Sequence, residues 1–148
     1  MKILRIFLAG GLLATPGCGG AKPVAVEIRD VCAQKPGTSV VLRGFISLPR
    51  ELEITRYLRG GQGVTYKLFL TTKPDGSGDT VAAVFPGTGE AARNRVGMLP
   101  ADYTRSDLVA FTDDGRELRA GQVVRITGET AADEKHRCRV DVSKIEQP

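Results

Sequence analysis

Tryptophan is absent, aromatic residues fill only 5% of the 148 positions, and the chain carries one histidine and three cysteines. The lone His136 leaves general acid–base chemistry without an evident partner, since an acid or base needs a reacting group and a tuned environment. The cysteines form no CxxC pair, so a zinc site would rest on His136 and Cys138 alone, a weak ligand set. No apolar run reaches the roughly 20 residues of a spanning helix, which argues against a multi-span membrane protein. Neither sign of charge dominates: 21 basic residues face 17 acidic ones, for a formal net of +4. A balance that small gives a polyanion partner little support unless charge is clustered locally. What is present is 41% hydrophobic and 26% charged, with 18 Gly and 8 Pro. That is the composition of one soluble domain, not of a disordered or collagen-like chain.

The N-terminus stands apart. Lys2 and Arg5 open it, Ile6 to Ala14 is apolar and uncharged, and Thr15-Pro16-Gly17-Cys18 follows with small residues and a cysteine. Basic, apolar and small, in that order, is the grammar of an export signal. Ala14-Thr15-Pro16-Gly17-Cys18 resembles the cleavage box of bacterial lipoproteins, whose cysteine is lipidated and becomes the first mature residue. The resemblance implies a signal peptide over 1–17, a membrane anchor through lipid on Cys18, a linker over 18–23 and a single domain over 24–148. Thr15 stands where Leu is usual, and Pro16 is unusual beside the cut. Ordinary cleavage after Ala21, giving a secreted soluble protein, is the alternative. By the same resemblance, Gly19 after Cys18 is compatible with an outer membrane facing the periplasm or exterior. Loss of Lys2 and Arg5 lowers the net charge further. With Cys18 lipidated, Cys32 and Cys138 remain, and an exported pair reads as a disulfide. Such a bridge stabilises a domain by about 2–5 kcal/mol. A domain of this size buries roughly two-thirds of its unfolded surface, so its core needs no metal.

Along the domain, Val24, Val26 and Ile28 alternate with polar or small residues and predict a first strand, extended by Val31-Cys32. Val40 to Ile46 is the next strand, with Gly44 marking a bend at a barrel corner. Pro49 to Gly63 reads as a long polar excursion containing at most one helical turn. Val64, Tyr66, Leu68 and Leu70 alternate in the clearest strand, turned through Asp75-Gly76 into Val81 to Phe85. Glu90 to Met98 predicts a short helix, Asp102 to Phe111 another short element, and Asp113-Asp114-Gly115 a turn. Val123 to Gly128 and Cys138 to Ile145 supply the last strands, joined by the polar run Glu129 to Lys135.

Tyr66-Lys67-Leu68-Phe69-Leu70, the Asp75-Gly76 hairpin, Gly121 to Gly128 and Val140 to Ile145 together resemble an oligonucleotide/oligosaccharide-binding (OB) barrel. The fold expected is all-β: a small five-stranded Greek-key barrel with a short helix between strands three and four and an extra N-terminal strand. The resemblance implies ligand contact through the loops after strands one and four and across strands two and three. It places Arg50, Arg56, Tyr57 and Arg59 in the first loop, Glu129 to His136 in the second, and Lys67 and Phe69 on the outward face of strand two. Arg and Lys suit phosphates, and Tyr57 and Phe69 suit unstacked bases. The competing reading is solvated charge, with aromatics packed beneath a helix.

Other constellations are weaker. Ser106-Asp107 and Asp141 with Ser143 supply hydroxyls and acids without attack geometry. Glu51 and Glu53 are more simply surface ion-pair partners. Gly87-Thr88-Gly89-Glu90 lacks the Gly-Lys-Ser/Thr continuation of a phosphate loop. The expectation is therefore a noncatalytic, cofactor-free, exported binding or envelope-support module. Its partners would be the membrane, through Cys18, and an envelope protein; a single-stranded nucleic acid or an oligosaccharide is the alternative ligand.

Overall fold

The computed structural model describes residues 20–57, 63–88 and 92–148. The expected signal peptide, Cys18, Arg59 and the Gly89-Glu90 end of the discounted phosphate loop lie outside the described residues.

Strand β1 (Val24–Ala25) pairs in parallel with β2 (Ser39–Ser47). Between them the expected strand extension is instead a 3-10 helix, Ile28–Ala33. Its Ile28 and Val31, three apart, share a helical face and are buried to 3% and 0% exposure, so the segment enters the core instead of adding to a sheet edge. Burying each such side chain is worth about 1.5–3 kcal/mol.

Among its described residues the polar excursion after β2 holds no helical turn but β3 (Glu53–Tyr57), which lies in antiparallel register on β4 (Gly63–Thr71). Strand β5 (Thr80–Thr88) follows the Asp75-Gly76 turn. In the described part of the helix expected over Glu90 to Met98 the chain forms β6 (Arg95–Gly97) instead, laid parallel to β5 with Val96 fully buried. In place of the helix between strands three and four, β6 is followed by a single 3-10 turn, Arg105–Asp107, and the hairpin β7 (Val109–Phe111) and β8 (Glu117–Arg119). Pairing to β5 on one side and β7 on the other overrides the weak local helical pattern there. Strand β9 (Val123–Ala131) runs further than the expected Gly128, which shortens the second loop. Buried Thr130 explains the extension: its hydroxyl donates to the Lys35 carbonyl at 2.6 Å and accepts from the Thr38 N–H at 3.1 Å. Strand β10 (Arg139–Glu146) ends the fold.

Five of these strands close a ring in the spatial order β2, β4, β5, β10, β9 and back to β2, with only β5–β10 parallel. This is the Greek-key path of an OB barrel. Strand β2 is shared: Ser39 to Phe45 pairs with β9, and Phe45 to Ser47 pairs with β4. The bend falls at Gly44, where a Cβ would sit 2.6 Å from the Thr71 carbonyl oxygen and 2.8 Å from Ile28 Cδ1. Only glycine fits. Inside the ring lie Leu42, Tyr66, Leu68, Leu70, Phe85, Ile126, Val140 and Ile145. The Tyr66 hydroxyl donates to Met98 Sδ at 3.2 Å and accepts the Leu99 N–H at 3.3 Å, so its burial leaves no orphan polar atom.

The Cys32–Cys138 disulfide is present, with Cα atoms 5.4 Å apart across a sequence separation of 106. It ties the N-terminal 3-10 helix to the residue entering β10.

Candidate functional site

Alternation decides which side chains reach the outer face. On β4, Tyr66, Leu68 and Leu70 point inward, so Lys67 and Phe69 point out, as the sequence pattern requires. Register then assembles their neighbours. Lys67 lies opposite Glu53 on β3 and Val84 on β5, and Val84 in turn lies beside Asp141 on β10. Thr65 and Pro86 continue this face, Tyr57 and Thr55 form one wall, and Arg139 with Asp141 forms the other. The result is an open groove of about 440 Å³ across four adjacent strands.

Its charges are matched internally. Lys67 Nζ lies 2.8 Å from Asp133 Oδ2 and 3.0 Å from Glu53 Oε2, and Lys135 Nζ lies 2.6 Å from Glu53 Oε1. Arg139 Nε donates to Asp141 Oδ1 at 2.9 Å. Asp133, whose side chain is only 1% exposed, also accepts the backbone N–H groups of Lys135 and His136, each at 3.0 Å. Burial alone would raise the Asp133 carboxyl; the Lys67 ammonium and those two N–H groups hold it below its ordinary range instead. Glu53 is also lowered, first by Lys135 and then by Lys67. Lys67 is raised, chiefly by its hydrogen bond to Asp133. Arg139 is raised first by its hydrogen bond to Asp141, with smaller contributions from the charges of Asp133 and of Tyr57 once ionised.

The expected ligand residues divide. Tyr57 is 57% exposed on the groove wall, and Lys67 lies on the floor. Arg56 alternates with Tyr57 along β3 and so faces away from the groove; the strand separates the Arg–Tyr pair read from their adjacency. Arg50 is exposed and does not line the groove. Phe69 lies in a second recess, where its ring meets the His136 ring edge-on with centroids 5.4 Å apart. Asp133, Arg139 and Asp141 were not singled out as ligand residues. The outward alternation of Arg139 and Asp141 was visible, but not the parallel pairing that lays them beside β5.

Other candidates have structural duties. Asp107 accepts the Thr104 N–H at 2.6 Å in a capping box, and Ser106 bonds Thr104. Ser143 donates to the Thr127 carbonyl. Cys138 is half of the disulfide and so offers no thiolate to pair with His136 in a zinc site. Among the described residues no group of three His, Cys, Asp or Glu is placed to hold a metal ion.

Ring connectivity and outward groove together define an OB barrel. No protein-family model matches the chain, and no curated protein matches it. Among solved structures it is similar to the second OB-fold domain of replication protein A from Methanococcus maripaludis, with a TM-score of 0.44 and 11% identity. That match covers 79% of this chain and 90% of the other.

Proposed function

We propose that the chain is an exported, noncatalytic binding module, anchored in the bacterial cell envelope through lipid on Cys18, whose groove takes a neutral polar chain such as an oligosaccharide. The internal pairing of Lys67, Lys135 and Arg139 carries the ligand reading. A phosphate backbone would have to displace Glu53, Asp133 and Asp141 from those cations, which removes most of the counterion-release gain of nucleic-acid binding. Glu53 and Asp141, with Thr55, Thr65 and the exposed Tyr57 ring, offer acceptors, hydroxyls and an amphipathic plane to sugar hydroxyls. Single-stranded nucleic acid is the second reading, favoured by that exposed ring as a stacking surface. The disulfide supports export, because such bridges persist in oxidising compartments.

The test is titration of the oxidised mature protein with neutral N-acetylhexosamine oligomers and with a deoxythymidine oligomer over a range of salt. The proposal expects saturable, salt-insensitive sugar binding that Tyr57→Ala weakens about tenfold, equivalent to about 1.4 kcal/mol. Oligonucleotide binding with a steep salt slope, lost in Lys67→Gln, would favour the second reading. Mass spectrometry of the membrane-extracted protein tests the anchor; an unmodified terminus beyond Cys18 would reject it.

A further inference from the structure

We propose that the recess beside the disulfide is a separate site for an anionic group, a carboxylate or phosphate ester, carried on a ring-sized body. It is an open recess of about 490 Å³ lined by Arg29, Phe69, Asp79, His136, Arg137 and Lys135, the last already paired to Glu53, among others. That volume lies within the range of small-molecule sites, which combine apolar walls with a few convergent polar groups.

The loop that supplies His136 and Arg137 is fixed at both ends without using their side chains. Asp133 holds one end through Lys67 and the Lys135 and His136 N–H groups, and the Cys32–Cys138 bridge holds the other. Neither the His136 imidazole nor the Arg137 guanidinium has a hydrogen-bond or ion-pair partner among the described residues. Arg29 meets only Asp30, at 3.6 Å in an exposed pair, so a bound anion can recruit it at little cost. Asp79 is the one carboxylate among the lining residues. The Phe69 and His136 rings, at 89° to each other, form a corner that suits a flat body. Charge-assisted bonds from a guanidinium to a carboxylate or phosphate are about twice as strong as neutral ones, and Arg137 is free to make them.

This site goes beyond the groove reading and stands or falls independently of it. The experiment is a titration of the oxidised mature protein with inorganic phosphate, phenyl phosphate and benzoate, followed by amide and side-chain NMR. Saturable shifts are expected at Arg29, Phe69, Thr80, His136 and Arg137, with phenyl phosphate binding about fivefold tighter than phosphate alone. Arg137→Gln, with an unchanged melting temperature, should weaken binding about tenfold. Phe69→Leu should keep phosphate binding and lose the phenyl advantage. Saturation by benzoate but not phenyl phosphate would assign the carboxylate form, and the reverse the phosphate form. Shifts that never saturate, or saturable binding unaffected by Arg137→Gln, would overturn the proposal.

Discussion

The groove and the disulfide recess share strand β4, yet both cations that line the groove are paired to acids while the recess keeps one, Arg137, that is not. Lys67 and Phe69 are two residues apart on one outward face, and each falls in a different recess. In the groove, Lys67 and Arg139 are held by Asp133, Glu53 and Asp141. In the recess, Arg137 meets no acid among the described residues. The difference teaches that a basic residue beside an aromatic one does not by itself make a phosphate site. What matters is whether a carboxylate has already claimed the charge, and a nearby acid in space is invisible to a reading of adjacent letters.

The harshest way to break this comparison is to remove the bridge. The Cys32→Ser, Cys138→Ser pair should lose about 5 kcal/mol in urea denaturation, as expected for a closed loop of this length. The variant should also lose anion binding at the recess, while the Lys67–Glu53 pairing in the groove persists. Asp133→Ala comes next. It leaves Lys67 short of its main partner and two N–H groups unpaired, for about 2 kcal/mol of destabilisation. Because that loop separates the recesses, ligand binding in both should weaken together.

Acid should act on the groove first. Glu53 and Asp133 have folded values below their unfolded ones, so their stabilisation is complete above the ordinary carboxylate range of about pH 4. It is lost as pH falls through their lowered values, and loop amides 132–136 should lose hydrogen-exchange protection in that window. The Thr112–Arg116 turn should hold further down, because Asp114 is lowered to about 2 by hydrogen bonds from Thr112 and Arg116. The smallest effect belongs to Arg137→Gln, expected within about 0.5 kcal/mol of the parent in thermal melts.

Much of the barrel was legible because period-two alternation is local. Tyr66, Leu68 and Leu70, and later Val140 and Val142, declare their buried face without any knowledge of their partners. The N-terminal segment misled for the same reason: Val24, Val26 and Ile28 alternate, but Ile28 and Val31 are spaced for a helical turn, and the barrel end claims them. Strands β3 and β6 to β8 are short and held mainly by cross-strand pairing, so their own letters say little. At the site, Tyr57 and Lys67 could be named in advance. Arg139 and Asp141 became groove residues only when β10 closed beside β5, and Asp133 joins their charge network from the β9–β10 loop through Lys67.

The most direct test is NMR of the Lys67 ammonium and the Asp133 carboxyl in the oxidised protein without ligand. Internal pairing predicts a slowly exchanging Lys67 ammonium at neutral pH and an Asp133 carboxyl that stays ionised below the ordinary carboxylate range. A Lys67 ammonium exchanging as fast as that of exposed Lys73, with Asp133 titrating at its ordinary value, would mean that the groove cations are free and the account is wrong.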